Sequence, residues 1–355
     1  MNTLWIVDIE PLDNRYTKQW QTHIPNLANQ TLGDKYKVVN LPGMAEGYSR
    51  PQRGAFFNFA ATCEYKASQA AGIARLFNHG EVKAGDVFFF TDAWNQTVHS
   101  VRYMSELLKI PVKIVGIWHA GWYDPTDILG ETIRNTNWVY HLESSMANAY
   151  DLNLFGTLQH LEKFLRVHHD VDTDAFAVCG YPLEYIRELK NTSKKENIVV
   201  FPHRLNADKA PHVFDAIRNY VHDELHRKDI LFFKTQEQDL SKDGYYEFLK
   251  RCKVVFSANK HENLGIGTFE AMTAGCIPLV PDKLSYAEMY PALFKYACHD
   301  SLYDLDADQI KNLAERIVHC IDQYNTLNVE REKSVETIQS QFFDGNHMME
   351  LLRCL

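Results

Sequence analysis

The chain has 355 residues, a formal net charge of −9 and 23% charged residues, with 45% hydrophobic and 12% aromatic side chains. That composition belongs to a folded globular chain with more apolar surface than one core accommodates, so two domains are expected. The negative balance argues against a protein that coats nucleic acid by bulk charge, and no apolar run is long enough to predict a membrane span. The start, MNTLWIVDIEP, lacks the basic and long apolar regions of a signal peptide and reads as a first strand. Seven cysteines at 63, 179, 252, 276, 298, 320 and 354 form no C-x-x-C pair, so reduced thiols and a cytoplasmic location are expected.

Apolar runs predict strands at Leu4–Ile9, Tyr36–Leu41, Val87–Phe90, Val112–Trp118, Trp138–Leu142 and Ala175–Cys179. Helical spacing falls between them, over about 56–77 and 96–108, and Ser144 and Ser145 are expected to cap a helix after the fifth strand. Alternation of this kind predicts a parallel α/β sheet, whose ligands sit at the carboxyl ends of the strands. Three polar loops fall at such ends. Residues 10–20 carry Asp13 and Arg15, residues 42–54 carry Arg50 and Arg53, and residues 119–128 carry His119, Trp122, Tyr123, Asp124 and Asp127. Each arginine alone reads equally as surface charge. The adjacent His168 and His169 read as solvated loop residues.

The polar stretch 190–197 predicts a domain boundary. A second alternating set follows. Strands are expected at Ile198–Phe201, Ile230–Phe233, Cys252–Ser257 and Ile277–Val280, and closing helices near 307–324, 328–342 and 345–353. Two strand ends carry chemistry. The first holds HRLNADK, with Arg204 and Lys209; a planar donor fork and a mobile point charge suit a diphosphate. The second holds SANKHENLGIGTFEAMTAGCIPLVPD, residues 257–282, with Glu262 and Glu270 either side of Gly265 and Gly267. A glycine loop at a helix start lets backbone N–H groups approach an anion, and a carboxylate accepts hydrogen bonds from sugar hydroxyls.

Read together, HRLNADK and ENLGIGTFEAMTAGCIPLV resemble the donor domain of GT-B-fold retaining glycosyltransferases, the family 4-like group typified by glycogen, sucrose-phosphate and trehalose-phosphate synthases. The likeness is good over residues 196–290 and covers only strand order and His119 in the first half. It implies two Rossmann-like domains facing each other across a cleft: residues 1–190 for the acceptor, 196–335 for the nucleotide-sugar donor, and 336–355 as a helix packing back on the first domain. It implies that Arg204 and Lys209 bind the diphosphate and stabilise the departing nucleoside diphosphate. Glu262 would contact the donor sugar, and the backbone of Asn263, Leu264, Gly265 and Ile266 would cradle sugar and phosphate. Glu270 would hold the ribose, and His119 would stand near the reacting centre. No cofactor or metal is implied; the acids of Asp172-Thr173-Asp174 and Asp306-Ala307-Asp308 read as surface residues.

Two departures stand out. The loop IEPLDNRYT lacks the glycine pair usual after the first strand, and Asn263 and Leu264 replace a glycine and an aromatic where the donor sugar is sensed. Asp13, Arg15, Arg50, Arg53, Trp122, Tyr123 and Asp124 are the expected acceptor contacts. Compact viral transferases that glycosylate hydroxymethylpyrimidines in DNA share the fold, so modified DNA is one candidate acceptor; carbohydrate, lipid-linked and small-molecule acceptors are others. An epimerase or a silent sugar-nucleotide-binding module on the same fold are the competing readings.

Overall fold

The computed structural model describes residues 1–12, 15–45, 58–134, 136–190, 193–298 and 306–355. The chain divides into two compact units, Met1–Pro182 with Asp344–Leu355, and Leu183–Phe343.

Unit 1 runs β1 (Asn2–Val7), α1 (Tyr16–Leu32), β2 (Tyr36–Leu41), α2 (Phe59–Asn78), β3 (Val87–Phe90), α3 (Thr97–Leu107), β4 (Lys113–Trp118), α4 (Ile128–Thr132), α5 (Asn137–Ala149), β5 (Leu152–Phe155), α6 (Leu158–Val167) and β6 (Phe176–Val178). The strands pair in parallel in the order β2-β1-β3-β4-β5-β6. Strands covered on both faces must be apolar throughout, and Val87–Phe90 is wholly buried. Unit 2 runs β7 (Glu196–Phe201), α7 (Pro211–Asp223), β8 (Leu231–Lys234), α8 (Lys242–Arg251), β9 (Cys252–Phe256), α9 (Ile266–Thr273), β10 (Ile277–Pro281), α10 (Ser285–Met289), β11 (Lys295–Tyr296), α11 (Ala307–Asp322) and α12 (Tyr324–Phe342). Its parallel sheet is ordered β11-β10-β9-β7-β8. Counted from each unit's first strand, both sheets repeat one plan: strand two lies outside strand one, and strand three on its other side. The chain therefore reverses direction across the sheet between β1 and β3, and again between β7 and β9. Loops diverge there and leave a crevice at the carboxyl edge.

The last helix, α13 (Asn346–Arg353), belongs to unit 1. The Arg353 guanidinium forms a two-point pair with Asp34 at 2.8 Å, and the Tyr36 hydroxyl reaches the Leu352 carbonyl. Among the described residues no helix is long and apolar enough to cross a membrane. All seven cysteines are free thiols.

Three expectations fail. Trp138–Leu142 is helical, the start of α5; Trp138 is 55% exposed while Val139, Glu143, Ser144, Met146 and Ala147 are buried, the spacing of a helix face rather than a strand. Ser144 and Ser145 lie inside that helix and cap nothing. The strand is the short β5 instead, hidden in sequence by polar Asn153, whose side chain is satisfied by the Trp118 indole and the Ala147 carbonyl. His168 is buried between Ser144 Oγ at 2.9 Å and Glu143 Oε2 at 3.0 Å. The acids at 172 and 306 are helix caps, Asp306 in a reciprocal capping box with Gln309.

Candidate active site

The unit 2 site grows from the ends of β7 and β9. After β7 the chain turns through His203 and Arg204 to Lys209, and Ala210 takes a left-handed φ of +47° before Pro211 starts α7. That turn folds Lys209 inward, to 6% exposure. After β9 the loop 257–265 runs alongside. The Lys260 N–H donates to the Asp208 carbonyl at 2.8 Å, and Lys209 Nζ donates to the His261 carbonyl, so the two loops are stitched together.

Glu262 is the centre of this joint. One carboxylate oxygen accepts from the Gly265 N–H at 2.9 Å; the other accepts from Asn259 Nδ2 at 2.9 Å and Lys209 Nζ at 3.3 Å. Burial works to raise its pKa, but the Lys209 ammonium and the Gly265 N–H outweigh it and hold the group at about 2. Arg204 and Lys209 both face Asp208, at 3.6 and 3.7 Å. Two cations and two carboxylates thus converge on the crevice between β7 and β9. His203 completes the wall. Burial, with the Lys209 and Arg204 charges, pushes its pKa down to about 3, so the ring is neutral at physiological pH. Among the described residues its buried Nε2 has no hydrogen-bond partner.

Gly265 ends the loop at φ +72° and is the N-cap of α9, whose first turn holds no acidic residue and no side-chain cap. Those N–H groups and the positive end of the helix suit an anion. Beneath lies the fully buried Tyr286, its hydroxyl shared among Ser257, Asn259 and Thr268 at 3.1–3.2 Å. Asn263 and Leu264 are 7% and 4% exposed, and Ile266 is half-buried. Glu270 lies one turn into α9, 3% exposed, and is held by Lys242, Tyr245 and Tyr246 from the start of α8.

In unit 1, His119 follows β4. Its Nε2 lies 2.7 Å from the Thr91 carbonyl, which can only accept, so Nε2 carries the proton. Nδ1 then accepts from the Tyr16 hydroxyl at 2.7 Å. Burial lowers the pKa of His119 against the pull of Asp92. Arg15 occupies the N-cap position of α1. Trp122 is half-buried and gives its indole N–H to the Ile133 carbonyl at 2.7 Å. Tyr123 is buried with its hydroxyl against His160, and buried Asp124 pairs with Lys163 at 2.7 Å. Both thus turn their polar groups toward α6. Glu143, fully buried, anchors that loop by accepting from Trp94, from the N–H groups of Trp122 and Tyr123, and from His168. Asp13, Arg50 and Arg53 lie outside the described residues.

Asp8, at the end of β1, gives a pH prediction. Burial pushes its pKa from 3.8 up to about 7, only partly offset by Asn40. A carboxyl whose folded pKa is raised holds its proton in the folded state while the unfolded chain has lost it. Stability therefore falls as pH rises from about 4 to 7, by an amount on the order of 2–4 kcal/mol. Asp8→Asn is expected to flatten that slope in urea denaturation at pH 5 and pH 8.

His203, Asn259, Tyr286, Lys242, Tyr245 and Tyr246 escaped sequence reading. His203 and Asn259 stand inside the two motifs without a role having been read for them, Tyr286 follows the second motif in SYAEMY, and the YY of α8 precedes it with no spacing that marks it.

No protein-family model matches the chain. A 52-residue stretch is 38% identical to tRNA-queuosine alpha-mannosyltransferase of Drosophila melanogaster, covering 15% of this chain and 14% of that one. Among solved structures, sucrose-phosphate synthase from Thermosynechococcus elongatus superposes with a TM-score of 0.65 at 13% identity, covering 100% of this chain and 99% of that one. The catalytic domain of starch synthase IV from Arabidopsis thaliana, bound to ADP and acarbose, gives 0.58 at 12% identity, covering 99% and 98%. Two parallel α/β units of one strand plan, matched end to end by these enzymes, give this chain the GT-B fold.

Proposed function

We propose that the protein is a retaining glycosyltransferase that moves a sugar from a nucleotide sugar, first among them a UDP-sugar, to a hydroxyl acceptor. The observation that carries this reading is the pair between buried Lys209 and half-buried Glu262, beside Arg204 and the uncapped start of α9. Arg204, Lys209 and the first N–H groups of α9 hold the diphosphate and stabilise the charge that develops as the nucleoside diphosphate leaves. Glu262, ionised over the whole physiological range, accepts hydrogen bonds from the donor sugar. The backbone of Asn263, Leu264, Gly265 and Ile266 lines the sugar and phosphate, Glu270 meets the ribose, and His119 orients groups near the reacting centre. The cations take the place of a metal, so transfer persists in a strong chelator.

For the acceptor we propose a hydroxyl on a modified nucleobase, 5-hydroxymethylpyrimidine in DNA. The match to a tRNA-queuosine mannosyltransferase supports an acceptor of this chemistry and favours tRNA as the second reading. Thermal shift against UDP, GDP, ADP, TDP and their sugars tests the donor side, because a ligand of the folded state raises the melting temperature. A shift with one nucleotide family identifies the donor; no shift with any refutes the reading. Labelled-sugar transfer to hydroxymethylated DNA, plain DNA and tRNA then separates the acceptors.

A further inference from the structure

Glu10 stands just past β1, at the carboxyl edge where the chain reverses direction between β1 and β3. Ligands of open α/β sheets gather at that edge. The residue is 2% exposed, yet among the described residues its Oε1 has no hydrogen-bond partner. A buried carboxyl oxygen in that condition carries the full cost of leaving water, and native folds keep such groups where something else is to meet them. The segment leading to Glu10 is fixed. The Ile9 N–H donates to Thr91 Oγ1 at 2.8 Å, and the Thr91 N–H to the Val7 carbonyl at 3.0 Å, so it is tied to the end of β3.

A cation from α2 acts on the same place. Lys66 Nζ donates to Asp92 Oδ2 and to the Trp94 carbonyl, each at 2.7 Å. Asp92 is held in turn, its Oδ1 accepting from the Trp94 N–H at 3.1 Å. An ammonium has three N–H groups, so these two bonds leave one. Burial raises the pKa of Glu10, and the Lys66 charge works against that rise. An acceptor without a donor and a donor without an acceptor therefore stand at one sheet edge. A hydroxyl suits both, because it donates once and accepts twice. It also suits Glu10 in either protonation state, donating to the carboxylate or accepting from the acid. An ammonium ion suits only the first state and a carbonyl oxygen only the second.

We propose that Glu10 and Lys66 form the seat of the acceptor's reacting hydroxyl, with Glu10 Oε1 on one side of that oxygen and the remaining Lys66 N–H on the other. The proposal rests on the hydroxymethylpyrimidine reading above and adds the residues that tell a hydroxymethyl from a methyl group.

Calorimetric titration of the full chain with single-stranded DNA carrying one 5-hydroxymethylcytosine, and with the same strand carrying 5-methylcytosine, tests this. The two strands differ by one hydroxyl. The hydroxymethyl strand should bind about tenfold or more tightly, the size of a hydrogen bond to a charged group. Glu10→Met should erase that preference, and Glu10→Gln, which keeps an oxygen there, should restore part of it. Because the oxygen removed has no partner, Glu10→Met should unfold in urea at the parent's midpoint or above it. A carboxyl with a purely structural role would instead lower the midpoint and weaken both strands together. Lys66→Met combined with Asp92→Asn removes the ion pair as a whole and should narrow the preference; an unchanged preference there takes Lys66 out of the seat. Equal binding of the two strands by the parent, a preference that survives in Glu10→Met, or a lowered midpoint overturns the proposal, while nucleotide binding keeps the nucleotide-sugar reading. No binding of either strand refutes the DNA acceptor and this proposal with it.

Discussion

Lys209→Ala is expected to lower glycosyl transfer by roughly 10²–10³-fold, the loss typical of one preorganised charge at a leaving group. The same substitution strips half-buried Glu262 of its cation. Losing one charged partner at a half-buried carboxylate that keeps Asn259 and Gly265 costs about 1.5–3 kcal/mol. Stability and turnover should therefore fall together in the single variant, so turnover must be measured well below its melting point. The double variant Lys209→Ala with Glu262→Gln separates the two effects. Removing both charges should recover much of the stability in urea denaturation, since the glutamine oxygen still accepts from Gly265 N–H and its NH2 can donate to Asn259 Oδ1 once that amide flips, whereas transfer should stay low. Full turnover in purified Lys209→Ala would remove the diphosphate role from this lysine.

The pairing of Lys209 with Glu262 marks where sequence reading reached its limit. Arg204, Lys209, Glu262 and Glu270 are visible because charged side chains stand in two short motifs at a strand end and a helix start, where an apolar pattern does not require them. Their surroundings are set by packing between segments distant in the chain. Glu262 and Lys209 are 53 residues apart, and Lys242 meets Glu270 across 28. Asp208, inside HRLNADK, faces both cations. The buried strands of unit 2 declared themselves by continuous apolar runs. In unit 1, β5 did not, because buried Asn153 interrupts its pattern, and the aromatic-rich start of α5 imitated a strand. His168 shows the same blindness: read as a solvated loop residue, it is buried against Ser144 and Glu143, whose own indole and amide partners make burial tolerable.

Gly265 and Gly267 carry the second large prediction, because the fold needs one of them and tolerates replacement of the other. Gly265 holds φ +72°, which costs a residue with a Cβ roughly 1–2 kcal/mol. An added Cβ would also stand 2.6 Å from Cε1 of Tyr286. That ring is fully buried and its hydroxyl is tied to Ser257, Asn259 and Thr268, so it has nowhere to retreat. Gly265→Ala should therefore lose about 3 kcal/mol or more in urea denaturation, counting strain and overpacking together, and distort the loop that carries Glu262. At Gly267 the nearest atoms to a new Cβ are the Pro202 carbonyl at 3.6 Å and the Tyr245 hydroxyl at 3.7 Å, ordinary contact distances. Alanine is also the better helix former by roughly 1 kcal/mol. Gly267→Ala should fold as well as the parent or better. If a diphosphate lies against the first turn of α9, however, the added methyl takes space that the ligand needs, and nucleotide affinity should drop by about tenfold or more. Calorimetric titration of this variant with UDP and ADP decides the point: unchanged affinity in a fully folded Gly267→Ala protein would mean that no phosphate approaches this turn, and the anion site would have to be sought elsewhere on the β7–β9 edge.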